Sequence, residues 1–169
     1  HYRPISNLPV LAKLLERIIV KQLVAYLNLH GLLPRLQSAY RSRHSTETAL
    51  LKVTSDILSA LDNGDLAALA LLDLSAAFDT VDHDILLRRL RVSYGIDGVA
   101  LQWFRSYLGG RTQFLKQRSC RSSKALVRYG VPQGSVLGPI LFVLYTADLV
   151  ALIESHGLSP HLYADDAPI

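Results

Sequence analysis

A wholly apolar run over residues 66–72 stops abruptly at Asp73, and no feature of the chain limits its fold more. Apolar residues without polar alternation, bounded by the Asn63-Gly64 turn signal, predict a buried central strand. A carboxylate at the end of such a strand is costly to desolvate unless something pairs with it. A second acidic site, Asp165-Asp166, follows a short strand-like segment at 161–163. Adjacent like charges raise the cost further unless a divalent cation neutralises them. By default, however, an Asp pair in a turn is a solvated turn, so spacing alone leaves both readings open.

Elsewhere the pattern is largely helical. From Val10 to about Leu29, Leu11, Leu14, Leu15, Ile18 and Ile19 recur at three- and four-residue steps, with Lys13, Glu16, Arg17 and Lys21 between them. That spacing predicts an amphipathic helix, stopped by Gly31 and Pro34. A basic loop with Arg35, Arg41 and Arg43 leads to a second helix, capped near Ser45 and Thr46, with Leu50, Val53, Ile57 and Leu61 on one face. Helical patterns resume after Asp82 and from Asp97 to Leu108, punctuated by Gly95 and Gly109-Gly110. Residues 112–129 read as a hairpin, and residues 138–154 as an apolar helix with Pro139 near its start. Helices and strands do not alternate as in a parallel βαβ fold, so the expectation is one α+β unit.

With 169 residues, half of them apolar, the chain can bury a substantial core. It begins at His1, contains no Met and stops three residues after the acidic pair, and so reads as a fragment. Cys120 is alone, which rules out an internal disulfide and fits a reducing compartment. Uninterrupted apolar runs such as 140–145 fall far short of the roughly 20 residues that span a bilayer, so a soluble intracellular protein without a membrane partner is expected. The net charge of +4 is modest but unevenly spread. No acidic residue lies between Asp97 and Asp148, whereas Arg105, Arg111, Lys116, Arg118, Arg121, Lys124 and Arg128 all do. Such a segment attracts polyanions, unless it is simply a solvated face.

Five ordered blocks carry a resemblance. Tyr163-Ala164-Asp165-Asp166 resembles the catalytic box of reverse transcriptases. His1-Tyr2-Arg3-Pro4-Ile5-Ser6-Asn7-Leu8-Pro9 resembles the opening of that domain in non-LTR (LINE-type) retrotransposons, and Gln37-Ser38-Ala39-Tyr40-Arg41, running on into residues 44–50, is similar to the fingers block. The stretch from Leu72 to His83 resembles the first catalytic block, and Gly130-Val131-Pro132-Gln133-Gly134 with residues 135–139 resembles the substrate-pocket block. Together they cover the chain.

The resemblance implies a right-hand polymerase palm, an antiparallel sheet backed by helices, joined to a helical fingers region with the thumb absent. Residues 1–65 would be fingers-like and 66–169 mostly palm, with the basic hairpin 110–130 placed in the fingers. It implies RNA-directed DNA synthesis on a primer 3′-hydroxyl with two Mg²⁺ ions, Mn²⁺ being a substitute. Asp73, Asp165 and Asp166 would hold the metals with the Leu74 main-chain carbonyl. Ala76 and Ala77 would let the backbone approach the triphosphate, and Phe78 would exclude a 2′-hydroxyl unless it is an ordinary core aromatic. Gln133 and Gly134 would meet the incoming nucleotide ahead of a helix N-terminus with free N–H groups. Arg41 and Arg43 would face the triphosphate, although Ala39-Tyr40-Arg41 departs from the family's commoner Gly-Phe-Arg. The implied partners are an RNA template, a DNA primer, deoxynucleotides and the rest of a retrotransposon polyprotein with a thumb and an endonuclease; the nucleus is the expected location.

Some clusters read better without chemistry. Asp82 looks like a helix cap, His83 a surface or packing residue, and Asp79, Asp82, His83 and Asp84 no metal site. Trp103, Phe104 and Tyr107 sit at helical spacing and read as core rather than as a base-stacking platform. An RNA-dependent RNA polymerase would share the acids, but Phe78 argues against it. An inactive or repurposed remnant that only binds nucleic acid or a protein partner is the other reading. Ala167-Pro168, where polar residues are usual, weighs in its favour, since Pro168 cannot donate to a strand ladder.

Overall fold

The computed structural model describes residues 5–33, 37–38, 44–74, 76–163 and 166–168. Its helices are α1 (Val10–Leu29), α2 (Thr46–Asp62), α3 (His83–Val92), α4 (Gly98–Leu108) and α5 (Gly138–Ser155). Its strands are β1 (Leu71–Asp73), β2 (Thr112–Gln113), β3 (Lys116–Gln117), β4 (Cys120–Arg121), β5 (Ala125–Leu126) and β6 (Asp166–Pro168). They form small antiparallel pairs: β1 with β6, β2 with β5 and β3 with β4. By its contacts the chain falls into two compact units, residues 1–27 with 76–145, and residues 28–75 with 146–169.

The first unit holds most of the buried side chains. Leu86 and Leu90 of α3, Leu108 of α4 and Leu141 and Leu144 of α5 are fully buried. Each such leucine contributes about 1.5–3 kcal/mol through removal from water. Local signals set the helix limits. The Asp82 carboxylate accepts from Ile85 N at 2.9 Å to start α3, and the Asp97 carboxylate accepts from Gly98 N at 2.8 Å to start α4. Arg89 and Arg91 lie in the last turn of α3, favourably placed against its dipole. Tyr26 of α1 donates to the Tyr94 carbonyl at 2.9 Å, and Tyr94 donates to the Leu144 carbonyl at 3.0 Å. The basic segment is the expected hairpin, with exposed paired strands.

The second unit contains α2 and the β1–β6 ladder. Ser45 and Thr48 form a reciprocal capping box at the start of α2. Its buried residues include Val53, Val150, Ile153 and Leu162, the last packed with Val150 and Leu149.

Four expectations change. The run 66–72 is not a buried strand: only residues 71–73 pair, and residues 66–71 are exposed, Leu66 completely. Apolar composition permits a covered strand, but here the ladder engages only its end. In α1 the apolar stripe is the exposed one, with Leu11, Leu14, Leu15 and Ile18 in solvent, while Glu16, Leu23 and Leu27 are buried. In α2, Leu50 and Leu61 are likewise exposed and only Val53 is buried. Among the described residues, α5 is by length and composition apolar enough to cross a membrane, because the short apolar runs join across residues 146–148. Its residues 140–144, with Val150 and Ile153, are buried within the protein.

Candidate active site

The acid-bearing strands meet in register. β1 and β6 run antiparallel with Leu71 opposite Pro168, Leu72 opposite Ala167 and Asp73 opposite Asp166. Pro168 is the last residue of β6, and in a two-stranded ladder both strands are edges, where proline is found. Asp165 lies outside the described residues, as do Arg41 and Arg43. Among the described residues no group of three or more His, Cys, Asp or Glu side chains forms a metal site. The segment entering the acidic pair is held locally: Ser38 N donates to the Leu162 carbonyl at 2.9 Å. His161 Nε2 lies 3.0 Å from Asp56 Oδ2 of α2, and Lys52 pairs with the other oxygen of Asp56. The Lys52 ammonium, with His161 adding to it, holds the Asp56 carboxyl below the usual carboxylate range.

In the first unit a turn and a loop interlock. Ala76 is exposed and left-handed, with φ 54° and ψ 33°, which is uncommon for a residue with a Cβ. Its carbonyl accepts from Asp79 N at 2.8 Å, opening a short 3-10 turn, Ala77–Asp79. Ala77 is buried, and the half-buried Phe78 ring lies 4.8 Å from that of buried Phe142. The loop 130–134 runs against this turn: Val131 N donates to the Phe78 carbonyl and Gly130 N to the Val81 carbonyl, each at 2.7 Å. Gly130 has φ +90°, and a Cβ there would stand 2.9 Å from the Asp79 Cα. Gln133 is half-buried and donates from Nε2 to Asp79 Oδ1 at 2.8 Å, while Gly134 is exposed.

His83 is more than a surface residue: its Nε2 lies 2.8 Å from the Gly130 carbonyl, tying α3 to the same loop. Asp82 is the expected cap. Several backbone amides at and just ahead of the helix N-terminus after the loop are already engaged. Buried Glu16 accepts from Val136 N at 2.6 Å and Leu137 N at 3.4 Å, Ser135 Oγ accepts from Gly138 N at 2.8 Å, and Pro139 has no N–H to offer. Sequence reasoning missed Asp79, His83 and Glu16 as supports of this loop; only the placement of Glu16 two and three turns before Leu23 and Leu27 hinted at a buried position.

Tyr107 donates to Glu16 Oε1 at 3.2 Å. Burial, reinforced by that carboxylate, raises its phenol well above the ordinary tyrosine range. Trp103 stacks on Tyr107 and meets Phe104 edge-on; of these α4 residues Phe104 is core, and Trp103 and Tyr107 are half-buried. In the basic hairpin, Arg121 lies over the Phe114 ring at 4.2 Å, and both are exposed.

The family model described as reverse transcriptase (RNA-dependent DNA polymerase) matches residues 1–169. The chain belongs to the reverse transcriptase family. An RNA-directed DNA polymerase from the mobile element jockey of Drosophila funebris is 35% identical over 99% of this chain and 19% of that protein. A Pol polyprotein from the type-1 retrotransposable element R2 of Popillia japonica is 30% identical over 92% of the chain and 21% of that protein. This reverse transcriptase chain thus spans about a fifth of the length of such relatives. Among solved structures, telomerase from Candida albicans with a fragment of telomeric RNA superposes with a TM-score of 0.62 at 15% identity, covering 94% of this chain and 30% of that one. Apo telomerase from Candida tropicalis gives 0.60 at 17% identity, covering 90% and 33%. At these identities the telomerases establish the fold alone.

Proposed function

We propose that this chain carries the nucleotide-binding and metal-binding part of an RNA-directed DNA polymerase of a non-LTR retrotransposon, adding deoxynucleotides to a primer 3′-hydroxyl on an RNA template. The observation that carries the reading is the β1–β6 register, with Asp73 opposite Asp166. Directly opposed residues are the nearest neighbours across an antiparallel ladder, so two acidic positions far apart in sequence become adjacent. The donor set fits a hard cation: carboxylates at 73, 165 and 166 with the Leu74 carbonyl are all oxygen ligands, as Mg²⁺ prefers and Mn²⁺ accepts. When bound, a pair of such ions lowers the pKa of the attacking hydroxyl and neutralises charge on the phosphates.

The chain's own residues bind and select. Arg41 and Arg43 bring positive charge to the triphosphate, and the exposed left-handed turn at Ala76 leaves backbone open to approach ahead of Ala77. Phe78 is held from behind by Phe142 and so can resist displacement by a 2′-hydroxyl. Gln133, oriented by Asp79, and Gly134 form the wall met by the incoming nucleotide. The acid-free basic segment, exposed along its hairpin, follows the phosphate backbone of template and primer. Residues 1–65 act as fingers and 66–169 mostly as palm, within a longer polyprotein working in the nucleus.

Primer extension on an RNA template by the polymerase containing this chain, compared with its Asp165→Asn variant, tests the reading. The variant should lose about a thousandfold or more in rate, the scale of several kcal/mol of lost charge stabilisation. Equal incorporation by both would end the polymerase assignment and leave a non-catalytic remnant.

A further inference from the structure

We propose that Glu16 is a positioning residue for nucleotide binding: from α1 it grips the backbone that follows the Pro132–Gly134 loop and so fixes that loop's shape. The inference rests on the reading that this loop meets the incoming nucleotide. Glu16 is only 1% exposed, yet lies on a helix whose apolar stripe is in solvent. Helix periodicity sets position 16 on the face of buried Leu23 and Leu27, where an apolar residue would be expected, and burying a carboxylate is unfavourable unless its oxygens are fully used. They are used. One oxygen accepts from Val136 N at 2.6 Å and Leu137 N at 3.4 Å, and the other accepts the Tyr107 hydroxyl at 3.2 Å.

These amides immediately precede α5, which begins at Gly138, and the partial positive charge of a helix N-terminus favours an anion beside them. The chain meets that need internally, from a residue 120 positions away. The loop is therefore held at both ends. Gly130 and Val131 are tied to Val81 and Phe78, and beyond Gln133 the anchor is Glu16. A residue that merely filled space could be replaced by an apolar side chain of similar size, whereas one that holds two backbone amides by charge could not.

The test uses the full-length polymerase containing this chain, with Glu16→Gln and Glu16→Met. Glutamine keeps an acceptor oxygen and should raise the deoxynucleotide KM about fivefold, whereas methionine, leaving the amides unpaired, should raise it about 10- to 100-fold. In both, kcat and template–primer affinity should stay within about twofold of the parent, the signature of lost nucleotide binding alone. Hydrogen exchange read at Val136 and Leu137 should lose about tenfold protection or more in the methionine variant, independently of turnover. Parent-like KM values in both variants would overturn the proposal. So would a uniform loss of kcat, KM and template–primer affinity with equally lowered melting temperatures, which would make Glu16 a general stabiliser. Asp165→Asn in the same assay separates the premises: full activity there would remove the polymerase reading and this role with it, whereas an inactive Asp165→Asn beside unchanged Glu16 variants would remove only the role of Glu16.

Discussion

The two units hold their candidate residues by different means. In the unit of residues 1–27 and 76–145, the loop 130–134 is fixed by bonds from Phe78, Asp79, Val81 and His83, over a core that includes Leu86, Leu90, Leu137 and Phe142. In the unit of residues 28–75 and 146–169, the acid-bearing strands pair over three residues, and the approach to β1 is exposed. Segments with many buried contacts open rarely, and those with few open more readily. A loop held in the first way resists change through its core. A pair of acids brought together in the second way depends on strand register and on small ties such as Asp56 with His161.

If that contrast is sound, the largest losses come from the first unit's core. Phe142→Ala should cost about 3–5 kcal/mol in chemical denaturation, as for other buried aromatics, and should also remove the support behind Phe78. A cost below about 1 kcal/mol would show that the wall does not depend on this packing. Gly130→Ala ranks next. Its Cβ would press on the backbone of Phe78 and Asp79 at 2.9–3.0 Å from a left-handed conformation. Overpacking and strain together should cost about 2–3 kcal/mol, and an unchanged melting curve would mean that the loop and turn can separate freely.

The contrast also explains what the sequence disclosed. Helix limits were legible because they are local: Ser45, Asp82 and Asp97 cap the helices they precede, and Gly95 ends the turn after α3. The family was legible because the blocks are contiguous. Burial was not. The exposed stripe of α1 and the exposed run 66–71 have core-like composition, and periodicity reports which residues share a face without reporting what covers it. Glu16 looked like an ordinary polar position because its partners, Tyr107, Val136 and Leu137, lie about 90 to 120 residues away.

A smaller effect probes the first unit from the alkaline side. Because burial and Glu16 raise the Tyr107 pKa in the folded protein, the unfolded chain releases this proton first, near the ordinary value of about 10. The associated stability is therefore fully present below about pH 10 and falls as pH rises beyond it. Denaturation of the parent and Tyr107→Phe between pH 9 and about 11 should show a shallower decline for the variant, by at most one proton's worth of slope. Identical slopes would place the Tyr107 hydroxyl in water rather than against Glu16.

The smallest effect belongs to the second unit. Asp56 has its pKa lowered, first by Lys52 and then by His161, so its contribution is present above the unfolded value of about 3.9 and is lost as pH falls through the lower folded value. His161 adds an ionic tie only while protonated. Both Lys52 and Asp56 are substantially exposed, and exposed pairs of this kind are worth under about 1 kcal/mol. Asp56→Asn should therefore barely change stability at neutral pH and should flatten the decline below about pH 4. Its more telling consequence is local, because Asp56 bonds the residue immediately before Leu162 and so steadies the backbone entering the acidic pair. Faster hydrogen exchange at Ser38, whose amide bonds Leu162, should accompany the substitution while Gly130 and Val131 keep their protection. If all three amides respond alike, the two regions open as one and the contrast between them fails.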